Sequence, residues 1–245
     1  MKKYYYDLHL HSSLSPCGDD ESTPNNIAGM ASLSELDIVA LTDHNTVKNC
    51  PAFFKAAENY GIIPIAGMEL TSAEDIHVVC LFETLDKALK FDEYISKKRI
   101  LIKNKPRFFG NQFILDEKDK LIGEEEYLLS NATTLTLDEV LPLAKEYGGV
   151  AYPAHIDREA NGIIAILGAI PENTAYKLFE IRDKEKLPAL SDKYSIPKEN
   201  FIISSDAHSL EAIKDKENFF LLPEGDADAV RAELFKILRE KAYGN

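Results

Sequence analysis

Short apolar runs alternate along this chain with segments whose apolar residues recur at helical spacing. Strands are predicted at "YYYDLHL", "DIVALT", "IIPIAGMEL", "HVVCLF", "GVAYPA", "FIISS" and "NFFLL". Helices are predicted in "TPNNIAGMASL", "CPAFFKAAENYG", "LDEVLPLAKEYGG" and "DADAVRAELFKILREKAYG". Thr23 suits a helix cap with Pro24 in the first helical position, and Gly61 and Gly148 stand where glycine ends helices. Strand, helix, strand in alternation argues for an α/β fold with a parallel sheet, and the number of units favours a barrel over an open sheet. Residues 84–136 break the alternation. There "FGNQFILDEKDKLIGEEEYLL" sets a polar turn, Asp116 to Lys120, between apolar flanks, with Pro106 and Gly110 ahead of it. A β-hairpin is expected inside an insertion, acting as a lid within a single domain that spans 1–245.

The length, 245 residues, and the hydrophobic fraction, 45%, suit one barrel with a sizeable core. No apolar run is long enough to span a membrane, and the chain opens on a strand pattern rather than a signal peptide's apolar segment. Cys17, Cys50 and Cys80 make no disulfide framework, which points to a reducing, cytoplasmic setting. The net charge of −13 argues against a nucleic-acid coat, so no stable nucleic-acid partner is expected. Bound cations still let an acidic protein take an anionic substrate. "SKKRILIKNKPR", residues 96–107, runs against the trend with six basic residues and no acid. It reads either as a solvated helix end and loop or as a phosphate-facing flap.

The histidines change the picture. Side chains at i and i+2 of a strand point the same way, so His9 and His11 converge. His44 follows the second predicted strand, His155 ends "GVAYPAH", and His208 follows "FIISS" in "SSDAH"; His77 opens a strand. Five of the six histidines thus follow strand C-termini, which in a parallel α/β barrel all open on the active-site face. Glu69 and Asp206 join them. Imidazoles with a bridging carboxylate are a ligand set for zinc, manganese or iron, and histidine without cysteine suits a catalytic site. The rival chemistries are weaker: no serine sits in a G-x-S-x-G elbow, and no Walker loop or dinucleotide glycine fingerprint is present. Cys17 beside a histidine is the remaining candidate nucleophile.

The ordered set "DLHLHS", "LTDHN", "GMEL", "HVVCLF", "AYPAH" and "SSDAH" resembles the PHP family, named for polymerase and histidinol phosphatase, over residues 7–208. The resemblance implies a distorted (β/α)7 TIM-like barrel holding two or three divalent ions (Zn, Mn or Fe) and hydrolysing phosphate esters. It matches His9 and His11 to the opening ligand pair and Glu69 to the bridging carboxylate. His44, His77 and His155 match further imidazoles, and Asp206 with His208 the closing pair. One more ligand falls in "SLSPCGDDESTPNN", where counting from His11 selects Cys17 and counting back from Thr23 selects Asp19. Asp19 is preferred, because the helix start is the better anchor and a hard oxygen suits manganese or iron. Asp43 fits an orienting or capping role, and Asp7 lies on the face of the ligand pair. Members of the family often read "AHPGR" where this chain reads "AHIDR", which keeps Arg158 as a clamp for a substrate phosphate. The expected reaction is attack on phosphorus by a water that the metals activate. Arg158 would stabilise the transition state, and Asp206 or His208 would assist the leaving oxygen. The partner is a small phosphorylated substrate, with nucleotides among the candidates, and the enzyme is expected to be a phosphatase or a small-nucleotide phosphodiesterase. The alternatives are histidinol-phosphate phosphatase and, from another class, a non-catalytic metal-binding scaffold.

Overall fold

The structure is a computed structural model that describes residues 1–244. In chain order its elements are β1 (Lys2–Leu10), α1 (Pro24–Leu33), β2 (Ile38–Leu41), α2 (Cys50–Tyr60), β3 (Ile63–Thr71), β4 (His77–Phe82), α3 (Leu85–Ser96), α4 (Pro106–Phe109), β5 (Phe113–Leu115) and β6 (Leu121–Glu124). They continue with α5 (Leu137–Glu146), β7 (Gly149–Pro153), α6 (Ile163–Leu167), β8 (Phe179–Ile181), α7 (Leu187–Tyr194), β9 (Phe201–Ile203), β10 (Phe219–Leu222) and α8 (Ala227–Tyr243). The local signals act as their chemistry dictates. The Thr23 hydroxyl accepts from the Asn26 amide ahead of Pro24. Gly61 ends α2 in the left-handed region at φ 69°. Thr136 and Glu139 form a capping box on α5.

The main sheet runs β10-β1-β2-β3-β4-β7. β1, β2 and β3 are parallel, but β4 is antiparallel to both β3 and β7, and β10 is antiparallel to β1. The expectation of a parallel sheet therefore fails at these strands. The cause at β4 is the length of its connection: five residues after Thr71, closed by Ser72 N–H donating to the Ile76 carbonyl, are too few for a crossover. A parallel pair, β8 and β9, completes the wall. Ile156 N–H donates to the Glu180 carbonyl beside β7, and His11 N–H donates to the Ala207 carbonyl beside β1. β1, β2, β3, β4, β7, β8 and β9 thus surround one interior, a distorted TIM-like barrel.

The interior below the rim holds Tyr6, Leu8, Ile38, Ile65, Val79, Leu81 and Tyr152. Val230, Leu234, Phe235 and Leu238 of α8 close it from beneath. Arg231 of α8 reaches the Pro64 carbonyl at the start of β3, and the Tyr243 hydroxyl donates to Gly149 O at the start of β7, so α8 crosses the N-terminal ends of the strands. The opposite end is left for chemistry. Within 84–136 the predicted hairpin is present: β5 pairs with β6 across a turn in which Asp116 N–H donates to Lys120 O. Residues 85–96, however, form an ordinary barrel helix, α3, which buries Ala88, Phe91 and Ile95 in the outer core. The hairpin leans on the rim loops, where Phe113 N–H donates to Ser13 O and the Asn49 side-chain amide to Phe113 O.

Candidate metal centre

The rim opposite α8 gathers every histidine in the chain. His9 lies on β1 and His11 just beyond it; His44 lies after β2, His155 after β7 and His208 after β9. His77 joins them because β4 runs antiparallel. It pairs with Thr71 at the end of β3, so the start of β4 shares the rim with the ends of its neighbours. Glu69, two residues before the end of β3, stands at the centre. Its Oε1 lies 2.8 Å from His77 Nδ1, 2.9 Å from His155 Nε2 and 3.4 Å from His9 Nε2. Its Oε2 lies 3.1 Å from His44 Nδ1 and 3.3 Å from His11 Nε2. Asp206 Oδ1 lies 3.4 Å from His9 Nε2 and 3.3 Å from His11 Nε2.

Hydrogen bonds on the far side of the rings fix which nitrogens face inward. His9 Nδ1 is 2.8 Å from Glu180 Oε1, a carboxylate of β8 that is itself fully buried. His11 Nδ1 is 2.9 Å from Ser15 Oγ, whose hydroxyl proton goes to Asp43 Oδ1 at 2.7 Å. Asp43 also takes the Ser12 amide and hydroxyl, so it ties down the loop that follows His11. Both rings therefore donate from Nδ1 and turn their Nε2 atoms inward. Those two Nε2 atoms are 3.1 Å apart, with Glu69 and Asp206 oxygens around them. Four acceptor atoms this close are mutually repulsive unless protons or a cation sit among them. Asp206 Oδ1 and His44 Nδ1 are buried without a hydrogen-bond partner, which supports the same reading.

Three groups have ligand atoms within 4.8 Å of one another: His9, His11, Glu69 and Asp206; His44, Glu69 and His77; and His11, His44 and His208. His155 reaches the second group through Glu69. The donor set of imidazoles plus shared carboxylates fits divalent transition metals. The electrostatics agree. Burial works against ionisation of Glu69, but His77, His9 and His44 outweigh it and hold the carboxylate well below its ordinary range. Burial likewise opposes the Asp206 charge, and His9 and His11 overcome it. Burial pulls His44 well below its usual value and His208 down to about 4, the latter helped by His11, which leaves both neutral as ligands must be. His9 and His11 go the other way: burial lowers both, yet Glu180, Glu69 and Asp206 raise His9 well above normal, and Asp206 and Glu69 raise His11 to about 9, so protons take these inward positions until a cation displaces them. Two of the site residues hold left-handed backbone, His155 at φ 28° and Asp206 at φ 53°, so the rim stores local strain.

Beside the centre opens a pocket of about 560 Å³ lined by Cys17, Gly18, Asp19, Arg158, Arg182 and His208, among others. Arg158 donates to Asp206 Oδ2 at 2.9 Å. Cys17 and Asp19 belong to none of the three clusters; Asp19 is exposed on the pocket wall, its amide donating to the His208 carbonyl. Cys17 is exposed at the pocket, and desolvation there first, with Glu69 second, pushes its thiol up to about 12. Asp7, buried beneath the ligand pair, accepts from the His9 and Ser205 amides. The basic run does not line this pocket: Lys97 pairs with Glu93, Arg99 with Glu125 and Lys103 with Glu126. Two functional residues escaped the sequence reading. Glu180 sits in "LFEIR", where flanking apolar residues disguise it, and Arg182 follows two residues later. The one available signal was that a lone acid inside a short apolar run has to be satisfied by a partner.

The sequence profile described as "PHP domain" matches residues 7–167. An uncharacterized protein of Methanocaldococcus jannaschii is 31% identical over 100 residues, which is 37% of this chain and 58% of that one. An error-prone DNA polymerase of Symbiobacterium thermophilum is 36% identical over 77 residues, 31% of this chain and 7% of the polymerase. The chain thus spans less than two thirds of either relative. Among solved structures, the lesion-specific endonuclease Q of Pyrococcus furiosus superposes with a TM-score of 0.62 at 18% identity, over 94% of this chain and 55% of its own. A two-domain protein of Bacteroides vulgatus, containing a predicted PHP-like metal-dependent phosphoesterase, gives 0.57 at 18% identity over 97% and 64%. Endonuclease Q has also been seen with a 27-mer duplex carrying an abasic lesion at its active site. That complex is in tension with the expectation of no nucleic-acid partner here. No helix among the described residues is long and apolar enough to cross a membrane.

Proposed function

The chain belongs to the PHP domain family, and on that premise we propose that it is a metal-dependent hydrolase acting on the phosphate ester of a small phosphorylated substrate. The supporting observation is the pair of inward Nε2 atoms of His9 and His11, 3.1 Å apart and ringed by Glu69 and Asp206 oxygens. Divalent cations bound there would supply a water of lowered pKa and positive charge against the phosphoryl oxygens. His9, His11, Glu69 and Asp206 would hold one ion, and His44, His77, His155 and Glu69 another. His11, His44 and His208 would hold a third, completed by Asp19, whose backbone is already tied to His208.

The chain's own groups do the rest. Glu180 and the Asp43–Ser15 pair keep the ligand rings in the binding tautomer. Arg158, about one third exposed over the pocket, offers its guanidinium to a phosphoryl oxygen while its bond to Asp206 fixes its reach. His208 is the most open of the imidazoles paired with these carboxylates, and with its lowered pKa it rests neutral, as a ligand of the third ion on the pocket side would.

The test is metal analysis of purified protein together with hydrolysis of p-nitrophenyl phosphate and bis-p-nitrophenyl phosphate. The expected result is bound transition metal and turnover of the monoester, with metal and activity lost together in His11→Ala and Glu69→Ala. Metal-loaded protein inert to both compounds and to a phosphoester panel would establish the scaffold instead. Preference for the diester would move the reading to a phosphodiesterase, the direction in which the endonuclease neighbour points.

A further inference from the structure

The inserted hairpin is held to the barrel by Asn49, at the start of α2. An asparagine in that position ordinarily turns its side-chain oxygen back onto the amides of its own helix. Asn49 makes no such cap. Its Oδ1 accepts instead from the Leu115 amide of β5 at 3.0 Å, where the register of the hairpin slips between Ile114 and Leu115. Its Nδ2 donates to the Phe113 carbonyl and to Ser12 Oγ, each at 3.0 Å. A backbone amide that can only donate and a carbonyl that can only accept leave the side chain one orientation. The residue is fully buried, so no solvent replaces these bonds when they are lost.

Ser12 Oγ passes the constraint inward. It accepts from Asn49 and from the Leu14 amide, at 3.0 and 3.2 Å, and its own proton goes to Asp43 Oδ2 at 2.7 Å. The other Asp43 oxygen takes the Ser15 hydroxyl, and Ser15 Oγ takes the His11 ring and the His44 amide at 2.9 and 3.2 Å. Ser12, Ser15 and Asp43 are buried like Asn49. Asn49, Ser12, Asp43 and Ser15 thus run without a gap from β5 to His11. Each hydroxyl has one proton to give, so the direction of every bond in the chain is set by its neighbours. A residue that only started a helix would need none of this. We propose that Asn49 is a positioning residue that latches the hairpin to the loop carrying His11, so that the docking of the hairpin sets the affinity for the ions His11 holds. This rests on the metal-centre reading above and adds to it a control point outside the ligands: whatever seats or lifts β5 tightens or loosens the metal.

The experiment uses the full chain, stripped of metal with chelator, and its Asn49→Ala variant. Zinc affinity is read by competition with a chromophoric chelator, and amide exchange by mass spectrometry of peptides covering β5 and β6 with and without zinc. The variant should bind zinc about tenfold more weakly, the lower end for a group behind a metal ligand. Linkage makes the effect reciprocal, so zinc should slow exchange of the parent's β5 amides about tenfold more than it slows those of α8, at the far end of the barrel. Asn49→Ala should lose that difference. The Asn49→Ala, Ser15→Ala double variant should bind zinc no more weakly than Ser15→Ala alone, because both act on His11 by one route. A role confined to holding the fold predicts the contrary: unchanged zinc affinity, or losses that add. Zinc affinity of Asn49→Ala within about twofold of the parent's, or hairpin exchange indifferent to zinc, overturns the proposal. The exchange measurement on the parent needs no variant and decides the matter if Asn49→Ala does not fold. Failure of the underlying reading looks different: the parent itself binds no zinc.

Discussion

Replacing Glu180 tests whether a residue that touches no substrate governs metal binding. Its Oε1 accepts from His9 Nδ1 at 2.8 Å and from the His155 amide at 3.1 Å, so it orients one ligand ring and anchors the backbone of another. Glu180→Gln keeps an oxygen acceptor in place and removes the charge. A hydrogen bond to a charged group contributes about 1.5–3 kcal/mol and a neutral one about 0.5–1.5. The substitution therefore costs roughly 1.4 kcal/mol of orientation, or about tenfold in metal affinity. Glu180→Ala removes both bonds and frees the His9 ring to turn, for which about 100-fold is expected, the upper range for a residue behind a metal ligand. The assay is titration of chelator-stripped protein with zinc against a chromophoric chelator, with melting in excess chelator to show that each variant still unfolds cooperatively. Both variants binding zinc within twofold of the parent would refute the reasoning, because the His9 tautomer would then not depend on this carboxylate.

Three further outcomes follow from the same geometry. Arg158→Ala should raise KM or lower kcat by about ten- to 100-fold while metal content, read by elemental analysis, stays at the parent level. Gly67→Ala should destabilise the barrel by about 1–3 kcal/mol and lower Tm by a few degrees, since the added methyl would lie 2.7 Å from both the Cys80 carbonyl and Leu81 in the adjoining strand. Stripping metal with chelator should lower Tm by about 5–10 °C relative to protein held at about 100 times the dissociation constant, checked by calorimetry with and without added zinc.

The sequence made the ligands legible because their chemistry is unusual and their placement regular. Imidazoles at strand ends have few structural uses, and His9, His11, His44, His155 and His208 all lie at or beyond the ends the pattern predicted. His77 looked misplaced at the start of a strand until the antiparallel run of β4 brought that start to the common rim; the short turn after Thr71 was the available clue. β8 was missed because its three residues are interrupted by Glu180, and the same interruption hid a site residue. α3 was lost among its charged positions, although Ala88, Phe91 and Ile95 keep the helical period. Arg182 was invisible for another reason: no spacing along the chain reveals that residues 158, 182 and 206 meet at one pocket.

β1 and the loop after β9 are nearly two hundred residues apart in sequence, yet His9 and Asp206 stand 3.4 Å from each other across the seam where the barrel closes. An ion shared by these two side chains is therefore a rivet through the first and last staves. A chain still emerging from the ribosome, or one whose final third has peeled away, keeps His9, His11 and Glu69 but lacks Asp206, so an ion at the seam would lose its closing carboxylate while the group of His44, Glu69 and His77 stays whole. Loss of that one ion, with the other retained, would then report the opening of the seam before the rest of the wall gives way.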